Sequence, residues 1–551
     1  MKMSSLSKLV KLTQANRPLA VTLLCAGVLG SVGHSAFAAN DLWIGNTDAN
    51  FNTLANWTGS VTPAGNAPEF GAAGTSGTAL TNDLTNATYA GLLFDSGASA
   101  YTIGGNSFTL TGNITNNSTS TEAINTAINL NGARTISAAS GQLVLGGNIT
   151  GTPGNTILTA TNQITLSGTN NVTMSANFAG LNVSGAGGVD ITGSTIINGA
   201  ANNTQSGYMN VSGTTSVTVE SGATLQVNGT TNNPTGGTPN SIVGQNAAGT
   251  STLLVNGGSL TIGGNTGLAF GNNAATATGI LTINSGTATI TAGSSTLQDV
   301  RNFVALGRDN ATGIVNLNGG TLATGRQFVR DGNNGGTVGA GTATFNFNGG
   351  TLQAQANQTQ GNGWFETATT GNFQVVTTNV LEGGAKIDTN GFNVNIQSVL
   401  AHGGSNAIDG GLTKIGAGTL TLGSGTDPAF TGDTFTGNVV VNAGTLSLAS
   451  NITLNSAIVM SLAPSTSLDL GFASGSQTVA GLLLNGVSVA PGTYTSSDLN
   501  TLGSSSLITF TSSGGTLTVA AVPEPATMAL LSIGLVCVLF GFRRHGRKAA
   551  I

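Results

Sequence analysis

Side chains that could do chemistry are few in the long central part of this chain. One histidine, His402, lies there, in the Gly-rich stretch "AHGGSNAIDGG", and no Ser/His/Asp order or His-x-x-x-His spacing accompanies it. The two cysteines, Cys25 and Cys537, lie in the terminal apolar segments, which excludes a thiol nucleophile or a thiolate zinc site between them. Asp427 and Asp433 flank "PAFTG" and could share a calcium ion, but a structural role is preferred. We therefore expect no catalytic residue, no metal site and no cofactor, and we interpret His402 as structural.

Two short charged clusters are the other candidates for a site. The segments "RNFVALGRDNATG" and "GRQFVRDGNNGG" place Arg308-Asp309 and Arg330-Asp331 22 residues apart, each shortly after a Phe-Val pair. On neighbouring turns of a coiled chain they would form an ion-pair patch. That patch would lie either in a groove that binds or cleaves a glycan or in a solvated bend. We prefer the solvated bend, because surface ion pairs are frequent and contribute little.

Composition and charge narrow the class of protein. Charged residues make up 6% of the chain, against about a quarter in a typical soluble protein. Eight of the 15 Lys and Arg lie at the two ends; the part between them carries seven, with all 20 acidic residues, and so a formal charge of −13. Phosphate backbones require basic surfaces, so nucleic acid is not an expected partner. The repeated alternation of Val, Ile, Leu and Thr argues against disorder and predicts a β-rich exported protein.

The N-terminal segment has the pattern of a secretory signal peptide. A basic region is followed by the apolar stretch "LAVTLLCAGVLG" and then by "AFA", which supplies the small residues of a cleavage site, Ala36 and Ala38. We predict that residues 1–38 are removed after passage through the secretion translocon. Lipidation at Cys25 is the competing interpretation, and Leu24 argues against it because a small residue is expected at that position.

The C-terminal segment combines an extended motif, an apolar run and a basic cluster. Residues 526–542 carry no charge and are just long enough for a transmembrane helix. The two prolines of "VPEP" hold the backbone before that run extended and accessible to a processing enzyme. By the positive-inside rule, the basic cluster stays in the cytoplasm. The motif is Pro523, Glu524 and Pro525, and the basic tail is Arg543, Arg544, Arg547 and Lys548.

These residues resemble the PEP-CTERM sorting signal of Gram-negative bacteria, over residues 521–548. The tripeptide, the apolar helix and the Arg-rich tail agree with it in order, spacing and terminal position. The resemblance implies that an exosortase in the inner membrane removes the tail and passes the protein towards the cell surface. A permanent C-terminal membrane anchor is the alternative.

One phrase recurs in the central part: apolar alternation, Asn, one or two small residues, Ser or Thr, and alternation again. The Ser or Thr lies at successive gaps of 28, 34, 30 and 94 residues, the last about three times the others. Short strands separated by tight bends, repeating about every 30 residues, favour a β-solenoid, because β-sandwich repeats usually run to about a hundred residues. The five marker residues are Ser259, Thr287, Thr321, Thr351 and Thr445.

The predicted fold is therefore all-β: a right-handed parallel β-helix, or β-solenoid, over residues 39–520. Leu, Val, Ile and Phe are expected to face inward and Thr, Asn and Ser outward, with Asn side chains at equivalent bends forming ladders from turn to turn. About 31 residues per turn gives about 16 turns, each rising about 4.8 Å, and thus a rod of about 75 Å.

Residues 410–450 resemble the autotransporter-associated β-strand repeat, and 210–355 match it more loosely. The opening "LWIGNTDANFNTLANWTG" resembles the start of autotransporter passengers, and in that position Trp43 and Trp57 could close the open end of the solenoid; ordinary buried aromatic residues are the equally favoured alternative. True autotransporters end in a membrane β-barrel, so the chain resembles the passenger alone. The segments that carry the repeat resemblance are Leu412–Lys414, Gly416–Leu420, Thr431-Gly432 and Asn442–Leu446.

These observations favour an exported, non-enzymatic cell-surface or extracellular-matrix protein. Its expected partners are the translocon, an exosortase and exopolysaccharide, and the membrane through the C-terminal helix before processing. A polysaccharide-binding adhesin and a carbohydrate-active enzyme on a β-helix scaffold are the alternatives. Clustered carboxylates would favour the enzyme and exposed aromatic residues the adhesin, but the chain has only three Trp and four Tyr.

Overall fold

Strands dominate the protein. The structure is a computed structural model in which 53% of the described residues are in strands and 4% in helices, so the all-β prediction is confirmed at this level. The strands pair almost entirely in parallel. The structure describes residues 40–175, 179–200, 206–230, 241–245, 248–264, 266–272, 276–291, 303–331, 341–359, 363–367, 373–423 and 430–521.

The chain winds as a coil of three strands per turn. In the N-terminal coils, each strand pairs in parallel with the third strand after it, as Leu92 with Ile114 and Ile114 with Ile136. Each passage through the three strands therefore advances the chain by one strand spacing, about 4.8 Å. Parallel crossovers are right-handed in nearly all proteins, and the right-handed sense stays a prediction on that ground.

The first strand of each coil belongs to a 13-stranded sheet, called here the first ladder. Its last strand is antiparallel to the one before it, and the other twelve are parallel. The strands are Asn40–Trp43, Ala67–Phe70, Leu92–Phe94, Ile114–Asn116, Arg134–Ala138, Thr156–Ala160, Gly180–Ser184, Tyr208–Ser212, Ser241–Gln245, Leu268–Asn272, Phe303–Leu306, Gln327–Asp331 and Phe373–Gln374.

The second and third strands of each coil form two ladders that join into one 28-stranded sheet through two long strands, Gly249–Gly264 and Ala277–Ile290. The second ladder also contains Ala79–Asn82, Thr102–Gly105, Glu122–Ile124, Leu143–Leu145, Ile164–Leu166, Val189–Ile191, Thr215–Glu220, Thr312–Leu317, Ala343–Phe347, Thr377–Val380 and Leu400–His402. The third also contains Ala87–Tyr89, Phe108–Leu110, Ile128–Asn131, Ile149–Thr152, Thr169–Met174, Ser194–Gly199, Thr224–Gly229, Thr321–Thr324, Thr351–Ala354, Ala385–Asp388, Leu412–Ile415, Val439–Val441, Val459–Leu462, Gly481–Leu484 and the antiparallel Val487–Ser488.

Two smaller sheets and one α-helix, Ser496–Gly503, complete the C-terminal coils. The five-stranded sheet contains Val394–Ile396, Thr419–Leu422, Thr445–Leu448, Ser467–Leu470 and Thr509–Ser512, and the three-stranded sheet Ser476–Val479, Gly492–Tyr494 and Thr516–Val519. The 3₁₀ turns are Leu54–Asn56, Thr58–Ser60 and Ser504–Ser506.

The interior is a continuous stack of apolar side chains. In the strand Leu143–Leu145 both leucines are fully buried and Val144 faces outward, and the next coil places Ile164 and Leu166 directly over the two leucines. Fully burying such a side chain contributes about 1.5–3 kcal/mol. The alternation of apolar and polar residues in the sequence is thus the alternation between core and surface.

The marker residues of the recurring phrase confirm the coil over its middle part. Ser259, Thr287, Thr321 and Thr351 lie side by side on successive strands of the third ladder. The implied equivalence of Thr445 is wrong, because Thr445 lies in the five-stranded sheet, next to Thr419 and Ser467. The phrase marks a corner between two ladders, and different corners of the coil use the same bend.

The predicted Asn ladder is confirmed at one of these corners. The Asn318 Nδ2 donates to Asn284 Oδ1 at 3.0 Å, and the Asn348 Nδ2 donates to Asn318 Oδ1 at 3.2 Å. Gly320 beside them has a φ of 59°, and a Cβ on it would lie 2.4 Å from the carbonyl oxygen of Gly286. The glycine therefore permits the bend, and the amides join one coil to the next.

Coil size varies more than the 30-residue repeat predicts. Neighbouring positions are 21 residues apart at Leu143 and Ile164 but 36 residues apart at Val217 and Leu253. Part of the extra length is in longer strands, such as Thr215–Glu220 compared with Leu143–Leu145, and the rest lies between strands that still pair in parallel. Sixteen strands stack in parallel along the third ladder, from Ala87–Tyr89 to Gly481–Leu484, a length of about 72 Å at about 4.8 Å per strand.

The N-terminal end of the coil is closed by aromatic side chains. Trp43 and Trp57 are each 1% exposed and pack edge to face with ring centroids 4.9 Å apart. Phe51 packs on both, and the Trp57 indole donates to the Phe51 carbonyl at 2.8 Å. The Asn56 carbonyl accepts the amide of Ile44, which follows the first strand.

The C-terminal end is closed by the helix Ser496–Gly503. Thr495 and Asp498 form a capping box at its start, which satisfies backbone amides that the first turn leaves free. The Asn500 side chain accepts the amide of Phe510 at 2.7 Å and donates to the Phe510 carbonyl at 2.9 Å. Phe510 lies on the last strand of the five-stranded sheet, so the Asn500 amide occupies the place of a further strand.

Candidate functional site

The residues predicted for sorting lie outside the described residues. They are the motif Pro523, Glu524 and Pro525, the basic tail Arg543, Arg544, Arg547 and Lys548, and the cleavage residues Ala36 and Ala38. No helix among the described residues is long and apolar enough to cross a membrane, and the predicted segment 526–542 is not among them.

The structure does place the strand that leads into the motif. Thr516–Val519 is the middle strand of the three-stranded sheet, parallel to Ser476–Val479 on one side and antiparallel to Gly492–Tyr494 on the other. Its last hydrogen bond runs from the Ala520 amide to the Val479 carbonyl at 2.9 Å. Only two residues separate this bond from Pro523, and two extended residues span about 7 Å. The motif therefore begins directly at the folded body.

His402 lies on the second ladder and contacts a carboxylate. Its Nδ1 is 2.8 Å from Asp409 Oδ2, and its side chain is 32% exposed. Asp409 also accepts the backbone amides of Gly411, Thr436 and Gly437, at 2.9, 2.7 and 2.9 Å. Burial acts to raise the pKa of the Asp409 carboxyl, but these hydrogen bonds outweigh burial and hold that pKa below its usual value.

A carboxylate that orients an imidazole leaves the other ring nitrogen of His402 for a proton or a metal ion. A metal site needs further ligands, and within the described residues no group of three or more His, Cys, Asp and Glu side chains could hold a metal ion. The Asp409 contacts tie together the bends at Gly411 and Thr436, which belong to neighbouring coils. This arrangement favours the structural interpretation of His402.

The two Arg-Asp dipeptides do meet on neighbouring coils, but not as a solvated patch. The Arg308 Nε donates to Asp331 Oδ2 at 2.9 Å, and these side chains are 3% and 6% exposed. The Asp309 amide donates to the Asp331 carbonyl at 3.0 Å. Burial lowers the pKa of Arg330. The prediction of a solvent-exposed bend is thus wrong for Arg308 and Asp331, because the neighbouring coils bring the two side chains together in a buried ion pair.

Lys414 is a buried polar residue whose role sequence reasoning missed. It is 0% exposed, and its ammonium donates to four oxygens: Thr389 Oγ1 at 2.9 Å and the carbonyls of Ile415, Gly416 and Ala443 at 3.2, 2.8 and 3.0 Å. Burial lowers the pKa of Lys414 to about 8, although the charge of Asp388 opposes that shift. The ammonium thus fastens three consecutive coils at one corner. A lysine inside an apolar alternation was the signal available in the sequence.

Gly444 belongs to the same arrangement. Its φ is 69°, and a Cβ there would lie 2.4 Å from the Gly418 carbonyl oxygen and 2.9 Å from the Lys414 ammonium. The same feature therefore explains why a lysine and a glycine stand at positions 414 and 444: backbone corners of neighbouring coils approach closely around a buried cation.

Asp433 does not fit the calcium ion considered for it. It is 4% exposed, and its Oδ1 accepts the Leu400 amide at 2.9 Å, while Oδ2 has no hydrogen-bond partner within the described residues. Burial raises the pKa of Asp433 to about 8, so the carboxyl is largely protonated at neutral pH and is a poor ligand for a cation. Asp427 lies outside the described residues.

The buried Asp433 carboxyl predicts a pH-dependent stability. Its folded pKa of about 8 exceeds its ordinary value of 3.8. Between these two values the folded chain retains a proton that the unfolded chain releases, so stability falls as pH rises. Relative to Asp433→Asn, the wild-type free energy of unfolding should fall by about 1.4 kcal/mol per pH unit over this window and level off above it.

Urea denaturation midpoints followed by circular dichroism from pH 4 to pH 9 measure this effect. Asp469→Asn, on the strand Ser467–Leu470, controls for the loss of a carboxyl group as such. Parallel pH profiles of the wild type and Asp433→Asn would contradict a protonated Asp433.

Comparison with known proteins adds one finding. Residues 521–547 match a family described as the PEP-CTERM protein-sorting motif. No curated protein and no solved structure matches the chain. The motif implies exosortase-dependent sorting towards the cell surface of a Gram-negative bacterium. The match covers the predicted tripeptide and the first three residues of the basic tail and ends one residue before Lys548.

Proposed function

We propose that the chain is an exported, non-enzymatic cell-surface or extracellular-matrix protein, a right-handed β-helix that an exosortase sorts through Pro523, Glu524 and Pro525. The observation that carries this proposal is the sorting motif at 521–547, placed within two residues of the last hydrogen-bonded strand. The signal peptide 1–38 brings the chain to the translocon. The helix 526–542 then holds it in the inner membrane, with the basic tail in the cytoplasm, until processing.

The absence of an enzyme activity is part of the same proposal. His402 and Asp409 hold two coils together, and the Arg308–Asp331 pair is buried. These are structural uses of the side chains that could otherwise have served a carbohydrate-active site. The resemblance of 410–450 to autotransporter-associated repeats agrees with a passenger-like surface scaffold.

A row of hydroxyl groups favours exopolysaccharide as a partner, and an adhesin as the second candidate function. Six Ser and Thr residues lie in register on successive strands of the third ladder, about 4.8 Å apart. All six are at least partly exposed, so they offer regularly spaced donors and acceptors to a repeating glycan. They are Ser194, Thr224, Ser259, Thr287, Thr321 and Thr351.

Intact-mass measurement of protein recovered from the cell surface tests the sorting proposal. The expected mass lacks both residues 1–38 and the segment that follows the Pro-Glu-Pro motif. A surface protein whose mass includes the residues through Ile551 would identify the segment as a permanent anchor and would end the sorting proposal.

His402→Ala tests the non-enzymatic part. We expect purified wild-type and variant protein to leave polysaccharides uncleaved and to bind them equally, because the imidazole contacts only the chain's own corner. Reducing-end assays on the producing organism's exopolysaccharide provide the measurement. Cleavage by the wild type that disappears in His402→Ala would establish a carbohydrate-active enzyme instead.

A further inference from the structure

The C-terminal end of the coil carries exposed apolar side chains that its fold does not use. Val487, Leu502 and Leu507 are 69%, 49% and 71% exposed. They belong to the last coil and its closing helix, called here the C-terminal cap (residues 485–521). Leu507 also has a φ of 55°, a conformation that residues other than Gly, Asn and Asp seldom adopt. Neither packing nor backbone geometry explains a leucine at that position.

The length of chain after the cap limits how far the cap can lie from a membrane. Within the described residues the last backbone hydrogen bond is made by Ala520, and the apolar run begins at Ala526. The five residues between them span at most about 18 Å when fully extended. While the apolar run is inside a bilayer, the cap must therefore lie at the lipid surface.

The charge of the cap suits that position. Residues 470–521 contain one charged side chain, Asp498, and neither Lys nor Arg. Ser, Thr and Gly dominate the remainder, and few ionic groups would lose hydration on approaching a bilayer. Without basic residues, attraction to anionic headgroups cannot hold the cap there, so apolar contact must do so.

We propose that the C-terminal cap is a lipid-contacting surface, and that Leu502 and Leu507 enter the bilayer interface while the unprocessed tail is anchored. This inference rests on the proposed function, because the tail must be inserted for the short tether to act. The contact orients the coil with its C-terminal end towards the membrane and presents the Pro-Glu-Pro segment at the depth where a membrane-embedded enzyme works. Removal of the tail then releases the cap.

The test uses the full-length chain in phosphatidylcholine vesicles, with an environment-sensitive fluorophore on Leu507→Cys in a Cys25→Ser, Cys537→Ala background. The matched control carries the label on Leu54→Cys, because Leu54 is 50% exposed at the opposite end of the coil. We expect a blue shift and quenching by lipid-attached quenchers at position 507 and neither at position 54, with no change in high salt. In a Cys25→Ser chain, shielding of native Cys537 from an aqueous thiol reagent reports whether the tail is inserted.

The readouts separate the two proposals. A shielded Cys537 with an aqueous label at 507, or equal quenching at 507 and 54, would overturn the lipid contact and leave the anchored tail in place. Shielding of the label at 507 that rises with protein concentration but gives no lipid quenching would assign the surface to a second copy of the chain instead. A reactive Cys537 would show that the tail is not inserted, and the lipid contact would fall with it.

The variant Leu502→Ser/Leu507→Ser, compared with Leu54→Ser, should lose vesicle contact of the cap without loss of coil structure.

Discussion

Replacing Pro523 and Pro525 with Ala should leave the full-length chain in the inner membrane. On the proposed sorting mechanism the two rings keep the motif out of the proposed helix 526–542, and alanine would let that helix extend towards the folded body. Only Ala521 and Val522 separate Pro523 from Ala520, which makes the last hydrogen bond of the strand Thr516–Val519. If the helix lengthened towards this strand, no segment of extended backbone would remain for a processing enzyme to bind. We expect nearly complete loss of processing, measured as membrane-bound protein whose intact mass still includes Cys537.

Two controls make this result specific. Pro491→Ala removes a proline just before the strand Gly492–Tyr494 and leaves the motif intact, so processing should continue. Neutral residues in place of Arg543, Arg544, Arg547 and Lys548 should instead weaken retention and misplace the chain. Normal processing of the Pro523→Ala/Pro525→Ala chain would contradict the role of the extended motif.

Replacing Lys414 with Met should cause the largest loss of stability among single substitutions in the C-terminal coils. The methionine fills similar space but removes the charged donor from Thr389 Oγ1 and from three backbone carbonyls. Buried acceptors that lose a charged partner make the expected loss about 3–5 kcal/mol. The free energy of unfolding from urea denaturation is the measurement.

Lys386→Met is the matched control for this substitution. Lys386 lies one coil earlier, on a strand adjacent to that of Lys414, and its side chain faces solvent. We expect its loss to change stability by less than about 0.5 kcal/mol. Equal effects of the two substitutions would show that the buried ammonium does not hold the corner.

The coil and its inward and outward faces could be predicted because both follow from local pattern. Alternation along a strand fixes which side chains face the core, and the Asn-containing bends at Asn284 and Asn318 mark corners that stack. The same recurring sequence phrase did not predict which sheet contains Thr445. The phrase indicates that the chain bends, but it does not indicate which two ladders the bend connects. Coil size was equally hidden, since the number of residues in a coil changes while the strands still pair in parallel with those of the next coil.

The residues of the candidate site, like the fold, could be predicted from the sequence only in part. The sorting motif was recognisable because its residues lie together in the sequence. The buried partners of Lys414 and Arg308 come from other coils, Thr389 and Ala443 in one case and Asp331 in the other. The sequence showed these charges but not their burial, because burial depends on which residues of the neighbouring coils pack against them.

The two closed ends decide how the protein behaves when many copies are exported together. A chain with few charges and many strand-forming residues has the composition of sequences that self-assemble into fibres, and the last strand of a parallel stack is the surface on which such growth starts. At the N-terminal end, Asn56 and the Trp43–Trp57 contact cover the first strand of the stack. At the C-terminal end, the Asn500 side-chain amide already makes hydrogen bonds with the backbone of Phe510. A second molecule would have to displace these groups before it could add a strand. The closures therefore act as terminators, and they keep each exported chain a particle of defined length.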